Sequence, residues 1–372
     1  MKLTIERAAL LKSLAHVQSV VERRNTIPIL SNVLIEAEGG SLGLTATDMD
    51  LTIIEQVEAD VSESGATTAP AHTLYDIVRK LPEGAQVELV ASGEAGQMTL
   101  ASGRSNFTLS TLPKEDFPSS GSAELPHSFS LAAGELKNLI DRTRFAISTE
   151  ETRYYLNGIY LHGAESDGVP VLRAVATDGH RLARFEMPLP EGAKEMPGVI
   201  VPRKTVGELR KLIDESEQSI EVSLSETKVR FAFESTELTS KLIDGTFPDY
   251  ERVIPSGNDK VLGVDRHVFS AAVDRVSTIS TEKSRAVKLS LADGTLVLSA
   301  TSPDSGSATE EIEVEYGGEA LEIGFNSSYL LDIARQIESE EAQFLLSDAA
   351  SPTIVRDVDD ASALYVLMPM RV

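Results

Sequence analysis

TLPKEDFP (residues 111–118) and LIDGTFPDY (residues 242–250) are two versions of one segment, and their Phe-Pro pairs lie 130 residues apart. The Thr-Asp pairs of LTATDMDL (44–51) and AVATDGHRL (174–182) are separated by the same 130 residues. Three further segments, LYDIVRKLPEG from Leu74, VGELRKLIDES from Val206 and YLLDIARQIES from Tyr329, look like copies of one amphipathic helix. A repeat at about a third of the 372 residues predicts three tandem domains.

Each third begins with a short strand (KLTIE, SFSLA or VLGVD) and continues with helical periodicity. In the first third the apolar stripe is Leu10, Leu11, Leu14 and Val17, a spacing typical of an amphipathic helix. Alternating segments such as IEVSL and VRFAF follow, and LADGTL carries an Asp-Gly pair typical of a β-hairpin turn. The pattern predicts an α+β fold in which each domain has two helices and antiparallel sheets. We place the domains at 1–123, 124–251 and 252–372.

The composition narrows the class of protein. A hydrophobic fraction of 41% is ordinary for a globular chain, and no cysteine is present, which excludes disulfides, thiolate catalysis and cysteine-bound metal. The chain has no basic-then-apolar leader and no run of about 18 apolar residues. We therefore expect a cytoplasmic protein that does not act at a membrane.

The net charge of −24 argues against nucleic acid as a partner, since phosphate-binding proteins usually present a basic face. The charge is unevenly distributed, however. The segments with helical periodicity (7–24, 71–80, 133–144, 203–214, 266–275 and 328–338) hold 16 basic and 9 acidic residues, whereas the remainder holds 18 and 49. Lysine and arginine favour helices, which explains part of this excess, but glutamate favours them equally and lies elsewhere. The distribution favours a basic surface formed by the helices.

Motifs for catalysis and for metal binding are missing. The six histidines are scattered without the spacing of a zinc site, and no nucleophile elbow or phosphate loop occurs. GGSLG at residues 39–43 predicts a turn, and Asp48 and Asp50 predict a turn or strand edge in preference to a metal site. Asp178 and His180 have no nucleophile with them. We expect no cofactor, no metal and no enzymatic activity.

Segments in order along the whole chain resemble one family, the bacterial DNA polymerase III beta subunits or sliding clamps. Among them are MKLTIER, TIPILSNVLIEA, SGRSNFTLSTLPKEDFP, ATDGHRLA, LIDGTFPDYERVIP and YVLMPMRV. The resemblance implies three clamp domains per chain and a head-to-tail pair of chains that closes into a ring around duplex DNA. The helices would line the hole and the sheets would form the outside, as the charge distribution suggests. A ring holds DNA by topology, so weak, screened contacts suffice and let it slide.

The resemblance also implies residues for DNA contact and for the joint between chains. Expected DNA-facing residues, by family position or by position and charge, are Arg24, Arg79, Lys80, Tyr154, Tyr155, Arg203, Lys204, Lys283 and Arg285. At the joint, Phe107 and Leu109 at the edge of the first domain would lie opposite Thr278 and Ile279 at the edge of the third.

A groove between the second and third domains is implied for short peptides of the polymerase, the clamp loader and repair proteins. Its expected residues are Thr177, Gly179, His180, Arg181, Leu182, Pro248, Arg252, Val253, Val366, Met368, Pro369, Met370 and Arg371. Methionine is flexible and polarizable, which suits a pocket for several partners. Within the ending LYVLMPMRV we expect Tyr365 and Leu367 to face the core of a final strand.

The sequence thus predicts a non-catalytic, homodimeric processivity factor for DNA polymerase III. Two alternatives stay open: a monomeric peptide-binding scaffold that does not encircle DNA, and an enzyme that modifies nucleic acid. Only a dimer can close, so the molar mass in solution separates the ring from the scaffold.

Overall fold

The computed structural model describes residues 1–92, 96–119, 121, 124–214, 218–280 and 285–371. Within these ranges each third of the chain holds two α-helices and antiparallel strands, as predicted. No helix in them is long and apolar enough to cross a membrane.

The elements follow one another in the same pattern three times. The first third contains β1 Lys2–Glu6, α1 Arg7–Gln18, β2 Asn32–Glu38, β3 Ser41–Thr47, β4 Leu51–Glu58, β5 Asp60–Glu63, β6 Gly65–Pro70, α2 Ala71–Lys80, β7 Gln86–Ser92, β8 Gln97–Ser102 and β9 Ser105–Ser110. The second contains β10 His127–Ala132, α3 Ala133–Asp141, β11 Gly158–Ser166, β12 Val169–Thr177, β13 Arg181–Pro188, β14 Val199–Pro202, α4 Arg203–Ile213, β15 Ser219–Leu224, β16 Lys228–Phe233 and β17 Thr236–Lys241. The last contains β18 Lys260–Asp265, α5 Arg266–Ser277, β19 Ala286–Ala292, β20 Thr295–Ser302, β21 Gly306–Glu313, β22 Glu315–Tyr316, β23 Leu321–Asn326, α6 Ser327–Ala334, β24 Glu341–Leu346, β25 Thr353–Asp357 and β26 Ala363–Leu367.

By spatial proximity the chain divides into two compact units. The first comprises Met1–Leu136, Pro190–Pro197 and Lys204–Leu242. It contains a sheet in the order β5-β1-β7-β8-β9 and a sheet in the order β10-β15-β16-β17-β4-β3-β2-β6. Since β4 pairs with β17, strands of the first and second repeats share one sheet, with Thr52 opposite Thr239.

The first helix shows how the sequence pattern becomes a packed element. The Glu6 carboxylate accepts a hydrogen bond from the Ala9 N–H at 3.1 Å and so caps the helix. Of the predicted stripe, Leu10, Leu14 and Val17 are buried, whereas Leu11 is half-buried. Full burial of each such side chain stabilises the fold by about 1.5–3 kcal/mol.

We expected this helix to reach residue 24, and that was wrong, because it ends at Gln18. The N–H groups of Ser19, Val20 and Val21 bond to carbonyls three residues back, so the chain tightens after the helix. Adjacent Val20 and Val21 are both buried as a result. Arg24 therefore lies in a loop.

The second unit comprises Lys137–Leu189, Gly198–Arg203 and Ile243–Val372. Its sheets have the orders β14-β11-β12-β13-β26-β25-β24-β18-β22 and β21-β20-β19-β23. The last strand, β26, lies between β13 and β25, so strands of the second and third repeats share a sheet in this unit as well. The predicted hairpin turn joins β19 to β20, and Gly294 supplies its left-handed φ of +68°.

Candidate functional site

A cleft of about 310 Å³ lies in the second unit, beside the junction of β13 and β26. Eight of the thirteen expected groove residues line it: Thr177, Gly179, Arg181, Leu182, Pro248, Val253, Val366 and Met368. Five residues that were not expected in the groove line it too: Arg153, Tyr155, Leu156, Asp249 and Tyr250, of which Tyr155 was expected to face DNA. The family resemblance therefore indicated most of the lining but not the residues that the turn Glu151–Leu156 contributes.

The turn between β12 and β13 shapes one side of the cleft. The Thr177 hydroxyl donates to the Arg181 carbonyl at 2.7 Å, and the Asp178 carboxylate accepts from the backbone N–H groups of His180 and Arg181. Gly179 has a φ of +87°, and a Cβ there would approach the Arg153 guanidinium to 2.5 Å. Glycine suits this position because it adopts the left-handed backbone without strain and leaves room for the Arg153 guanidinium.

Arg181 lines the cleft and also supports this turn. Its guanidinium contacts the carboxylates of Asp178 at 3.1 Å and Asp332 at 2.6 Å and donates to the Phe145 carbonyl. It also lies over the Tyr329 ring, 4.3 Å from the centroid. Since these groups satisfy its charge, Arg181 holds the turn on α6 and is not free to pair with a ligand.

The ending of the chain is both a core strand and part of the cleft. Tyr365 and Leu367 are buried as predicted, and Val366 is buried as well because it belongs to a hydrophobic cluster with Leu156, Leu182 and Tyr250. Beyond the strand, the Met368 N–H donates to the His180 carbonyl at 2.9 Å while 40% of the residue stays exposed. The apolar wall of the cleft therefore combines buried Leu182 and Val366 with an accessible thioether.

Tyr250 also lines the cleft, and its hydroxyl group is held by hydrogen bonds. Its hydroxyl lies 3.0 Å from His162 Nε2 and accepts from Arg173 Nη1 at 3.0 Å. Arg173 in turn pairs with Glu186 at 2.8 Å and Glu251 at 2.7 Å. Burial raises the pKa of Tyr250 and lowers the pKa of His162. At neutral pH the Tyr250 phenol is therefore un-ionised, and the neutral imidazole of His162 and the charged group of Arg173 lie beside its hydroxyl.

The other five expected groove residues do not line the cleft: His180, Arg252, Pro369, Met370 and Arg371. The side chain of Arg252 is 84% exposed and pairs with Asp249 at 2.7 Å. The Met370 N–H donates to the Gly324 carbonyl at 2.8 Å, which ties the tail to β23. Met370 is half-buried by this contact, whereas Met368 presents its side chain to the cleft.

The expected DNA-facing residues fall into three groups. Arg24, Lys80 and Arg203 are exposed and have no carboxylate partner within the described ranges. Arg79 pairs with Asp76 at 3.1 Å, and Arg285 donates to the Ser328 hydroxyl at 2.7 Å. Tyr154 is 53% exposed, whereas Tyr155 lines the cleft. Lys283 lies outside the described residues.

Lys204 differs from the expectation of a free cation. Its ammonium contacts the carboxylates of Glu22 at 2.5 Å and Asp48 at 2.6 Å and donates to the Val20 carbonyl. Burial disfavours the charged form, but the two carboxylates outweigh that effect and raise the pKa of Lys204. Other helical cations are paired in the same way, Lys211 with Glu208 and Arg275 with Glu310. The excess of helical basic residues therefore overstates the free positive charge.

The residues expected at the joint between chains are only partly exposed edge groups. Strand β9 is the outer strand of its sheet, as expected, and Phe107 on it is half-buried. Leu109 lies on the same face of β9 but is only 8% exposed, so Phe107 offers the more accessible apolar side chain. Thr278 and Ile279 follow α5 and are not on a sheet edge; the outer strands of the four-stranded sheet are β21 and β23.

Comparison with known proteins gives matches along the whole chain. Models of the DNA polymerase III beta subunit match with the N-terminal domain at residues 1–121, the central domain at 130–249 and the C-terminal domain at 251–371. The beta sliding clamp of Caulobacter vibrioides is 56% identical over 372 residues, which cover 100% of both chains.

Solved structures agree with these matches. The sliding clamp of Bartonella birtlesii, solved with griselimycin bound, superposes with a TM-score of 0.97 at 55% identity and 100% coverage of both chains. The clamp of Caulobacter crescentus superposes with a TM-score of 0.98 at 56% identity, over 100% of this chain and 99% of that one. That structure holds polyethylene glycol in a region proposed to tether the beta motif.

Proposed function

We propose that this chain, which belongs to the family of bacterial DNA polymerase III beta subunits, closes with a second copy into a ring around duplex DNA. It is a DNA polymerase processivity factor, a sliding clamp built from three tandem clamp domains. We keep the domain boundaries 1–123, 124–251 and 252–372 as part of the proposal. We also propose that the chain is not an enzyme and works in the cytoplasm, where bacterial DNA is replicated.

The observation that carries the peptide-binding part of this proposal is the wall formed by Leu182, Val366 and Met368. Two of these side chains are buried and rigid, and the third is exposed beside them. A short peptide from the polymerase, the clamp loader or a repair protein would cover the Met368 thioether and insert apolar side chains between this wall and Tyr250. Its affinity would come from buried apolar area, and the flexible thioether would adapt to different partners.

DNA would be held by enclosure and by a small number of weak contacts. Arg24, Lys80 and Arg203 are candidates, since each is exposed and free of a carboxylate within the described part of the chain. Few unpaired cations fit a ring that must move, because every phosphate contact strengthens binding and raises its salt dependence. The large negative charge elsewhere would discourage DNA from binding the outside.

The ring would be closed by the outer strands of two sheets. We propose that β9 of one copy, with Phe107, meets the face of the other copy that carries β21, Thr278 and Ile279. Unpaired strand edges favour such a contact, and a head-to-tail arrangement closes when the rotation fits.

Retention on a nicked circular plasmid tests encirclement against the monomeric scaffold. The clamp, loaded by the clamp loader of the same organism with ATP, should elute with the plasmid from a sizing column in 0.5 M salt, a concentration at which surface contacts are screened by a Debye length of about 3–8 Å. Cutting the plasmid once should release the protein, since it can slide off an end. Equal retention before and after cutting would show binding without topology and refute the ring.

A further inference from the structure

The turn before β4 has the same hydrogen bonds as the turn before β13. The Thr47 hydroxyl donates to the Leu51 carbonyl at 3.0 Å, as Thr177 does to Arg181 at 2.7 Å. The Asp48 carboxylate accepts from the N–H groups two and three residues on, at 3.0 and 2.7 Å, as Asp178 does in the later turn. Met49 has a φ of +80°, in the position where the later turn has Gly179 at +87°.

The strand that pairs with each turn-following strand also has an equivalent position: β17 lies beside β4, and β26 lies beside β13. The Lys241 N–H donates to the Asp50 carbonyl at 2.8 Å, as the Met368 N–H donates to His180 at 2.9 Å. Thr52 lies opposite Thr239 in the first unit, and Leu182 lies opposite Val366 in the second. The backbone that forms the Met368 groove is therefore repeated beside β4 and β17.

A cleft of about 300 Å³ lies against this repeated backbone, entirely within the first unit. Pro118 lines it, as the equivalent Pro248 lines the groove in the second unit. The side chains of the apolar wall differ, however. Thr52 occupies the position of Leu182, and Thr239 that of Val366. Lys241 occupies the position of Met368. The same frame therefore carries a polar lining.

The lining has excess positive charge in a chain whose net charge is −24. Lys228, Arg230 and Lys241 line the cleft against the acidic residues Asp50 and Glu237. Lys241 pairs with Asp50 at 2.9 Å, whereas Lys228 has no carboxylate partner within the described ranges. Arg230 lies 3.6 Å from Glu221, a loose contact in which both side chains are more than a third exposed. Two of the three cations can therefore turn to a ligand.

Apolar side chains remain beside these cations. Met49 is 50% exposed, and its backbone has a left-handed conformation. Ile54 is half-buried. None of the described lining residues is aromatic, so the cleft offers no platform on which bases could stack. These features favour a peptide over a nucleic acid.

We propose that this cleft is a second docking groove, and that it takes a linear acidic peptide of a partner protein. Carboxylates of the peptide pair with Lys228 and Arg230, and an apolar side chain lies on Met49. The inference rests on the proposed function only in treating the later groove as a peptide site. The later groove would thus bind apolar side chains of a peptide, whereas this cleft would bind acidic ones.

Fluorescence polarisation with the full-length protein tests this with two probes. One is a fluorescein-labelled octapeptide that alternates aspartate and leucine, and the other is a labelled clamp-binding peptide of the polymerase. Lys228→Glu with Arg230→Glu should weaken the acidic probe at least tenfold and leave the polymerase peptide unchanged. Met368→Ala should leave the acidic probe unchanged and weaken the polymerase peptide roughly three- to eightfold. A failure of this inference is thereby distinct from a failure of the proposed function.

A second variant guards against misfolding of the charge-reversed protein. Met49→Gly removes the apolar platform and restores the residue that the left-handed backbone prefers, so it should weaken the acidic probe about threefold without lowering the melting temperature. Three outcomes overturn the proposal: no binding of the acidic probe at millimolar protein, equal binding by the charge-reversed variant, or displacement of the probe by ten-residue oligothymidylate at lower concentration than by unlabelled peptide.

Discussion

Met368→Ala should weaken the polymerase peptide by roughly three- to eightfold. Met368 leaves 40% of its surface exposed in the free groove, and a docked peptide would cover that part. Complete burial of a methionine side chain is worth about 1.5–3 kcal/mol, so covering the exposed part contributes about 0.6–1.2 kcal/mol. At about 1.4 kcal/mol per tenfold change in Kd, this gives the predicted loss of affinity.

The same substitution should reduce stability slightly, because the covered part of the Met368 side chain already contacts the groove wall. We expect a loss of about 1–2 kcal/mol and a fall in Tm of a few degrees. Met370→Ala should behave differently. Its side chain is half-buried away from the cleft, so it should lower Tm without a matching loss of peptide affinity per folded molecule.

Fluorescence polarisation and a thermal melt on the same samples measure both effects. Met49→Ala is the matched control, since Met49 is 50% exposed and lies in the first unit at the repeated turn. It should leave the polymerase peptide unaffected. If the two alanine variants weaken the peptide equally, or if Met368→Ala leaves its Kd unchanged, the assignment of the groove wall is wrong.

Three further predictions concern the lining, the joint and acid stability. Arg203→Glu should reduce the slope of log K against log salt for direct DNA binding by about 0.9 while sparing Tm, because a carboxylate suits the start of α4. Lys204→Glu should instead lower Tm, since it places a third carboxylate beside two others; equal melts for the two variants would contradict this. Phe107→Asp should give folded monomers by light scattering, whereas Leu109→Asp should unfold the domain because Leu109 is buried; a Phe107→Asp dimer at micromolar concentration argues against β9 as the joint. Burial opposes ionisation of Asp357, but backbone N–H donors outweigh it and hold the pKa at about 2, against a usual 3.8. The ionised carboxylate therefore adds about 2 kcal/mol to the free energy of unfolding above pH 4, and this contribution is lost as pH falls towards 2. Urea unfolding should therefore separate Asp357→Asn from the parent at pH 7 and bring them together near pH 2.

The repeat could be recognised in the sequence because each copy forms the same local turn with the same residue types. The Thr-Asp pairs recur since the side chains of Thr47 and Thr177 close equivalent turns on their own backbone. Such bonds span only a few residues, so sequence spacing reports them directly. Strand partners could not be read in this way. That β4 lies beside β17 depends on how separate repeats meet, which no local pattern records.

At the candidate site, too, local features could be recognised in the sequence and long-range contacts could not. Residues of the Thr-Asp turn and of the tail were expected in the groove because their segments resemble those of the family, whereas Tyr155 and Tyr250 come from short turns whose sequences carry no periodicity. The available signal for Tyr250 was its place three residues after Phe247 in the repeated Phe-Pro segment. Lys204 was recognised as a cation, but its partners Glu22 and Asp48 lie far away in sequence, so its pairing needed the structure.

The pairing that joins the repeats has a consequence for synthesis on the ribosome. Leu182 pairs with Val366 and Thr52 with Thr239, 184 and 187 residues later. At about 5–20 residues per second, β4 and β13 each stay without their final neighbour for roughly 10–40 s after they are made. Both are then unprotected edges carrying apolar side chains, which attract other nascent chains. Pauses between the two members of a pair should therefore increase aggregation, whereas pauses after residue 241 should spare the first sheet.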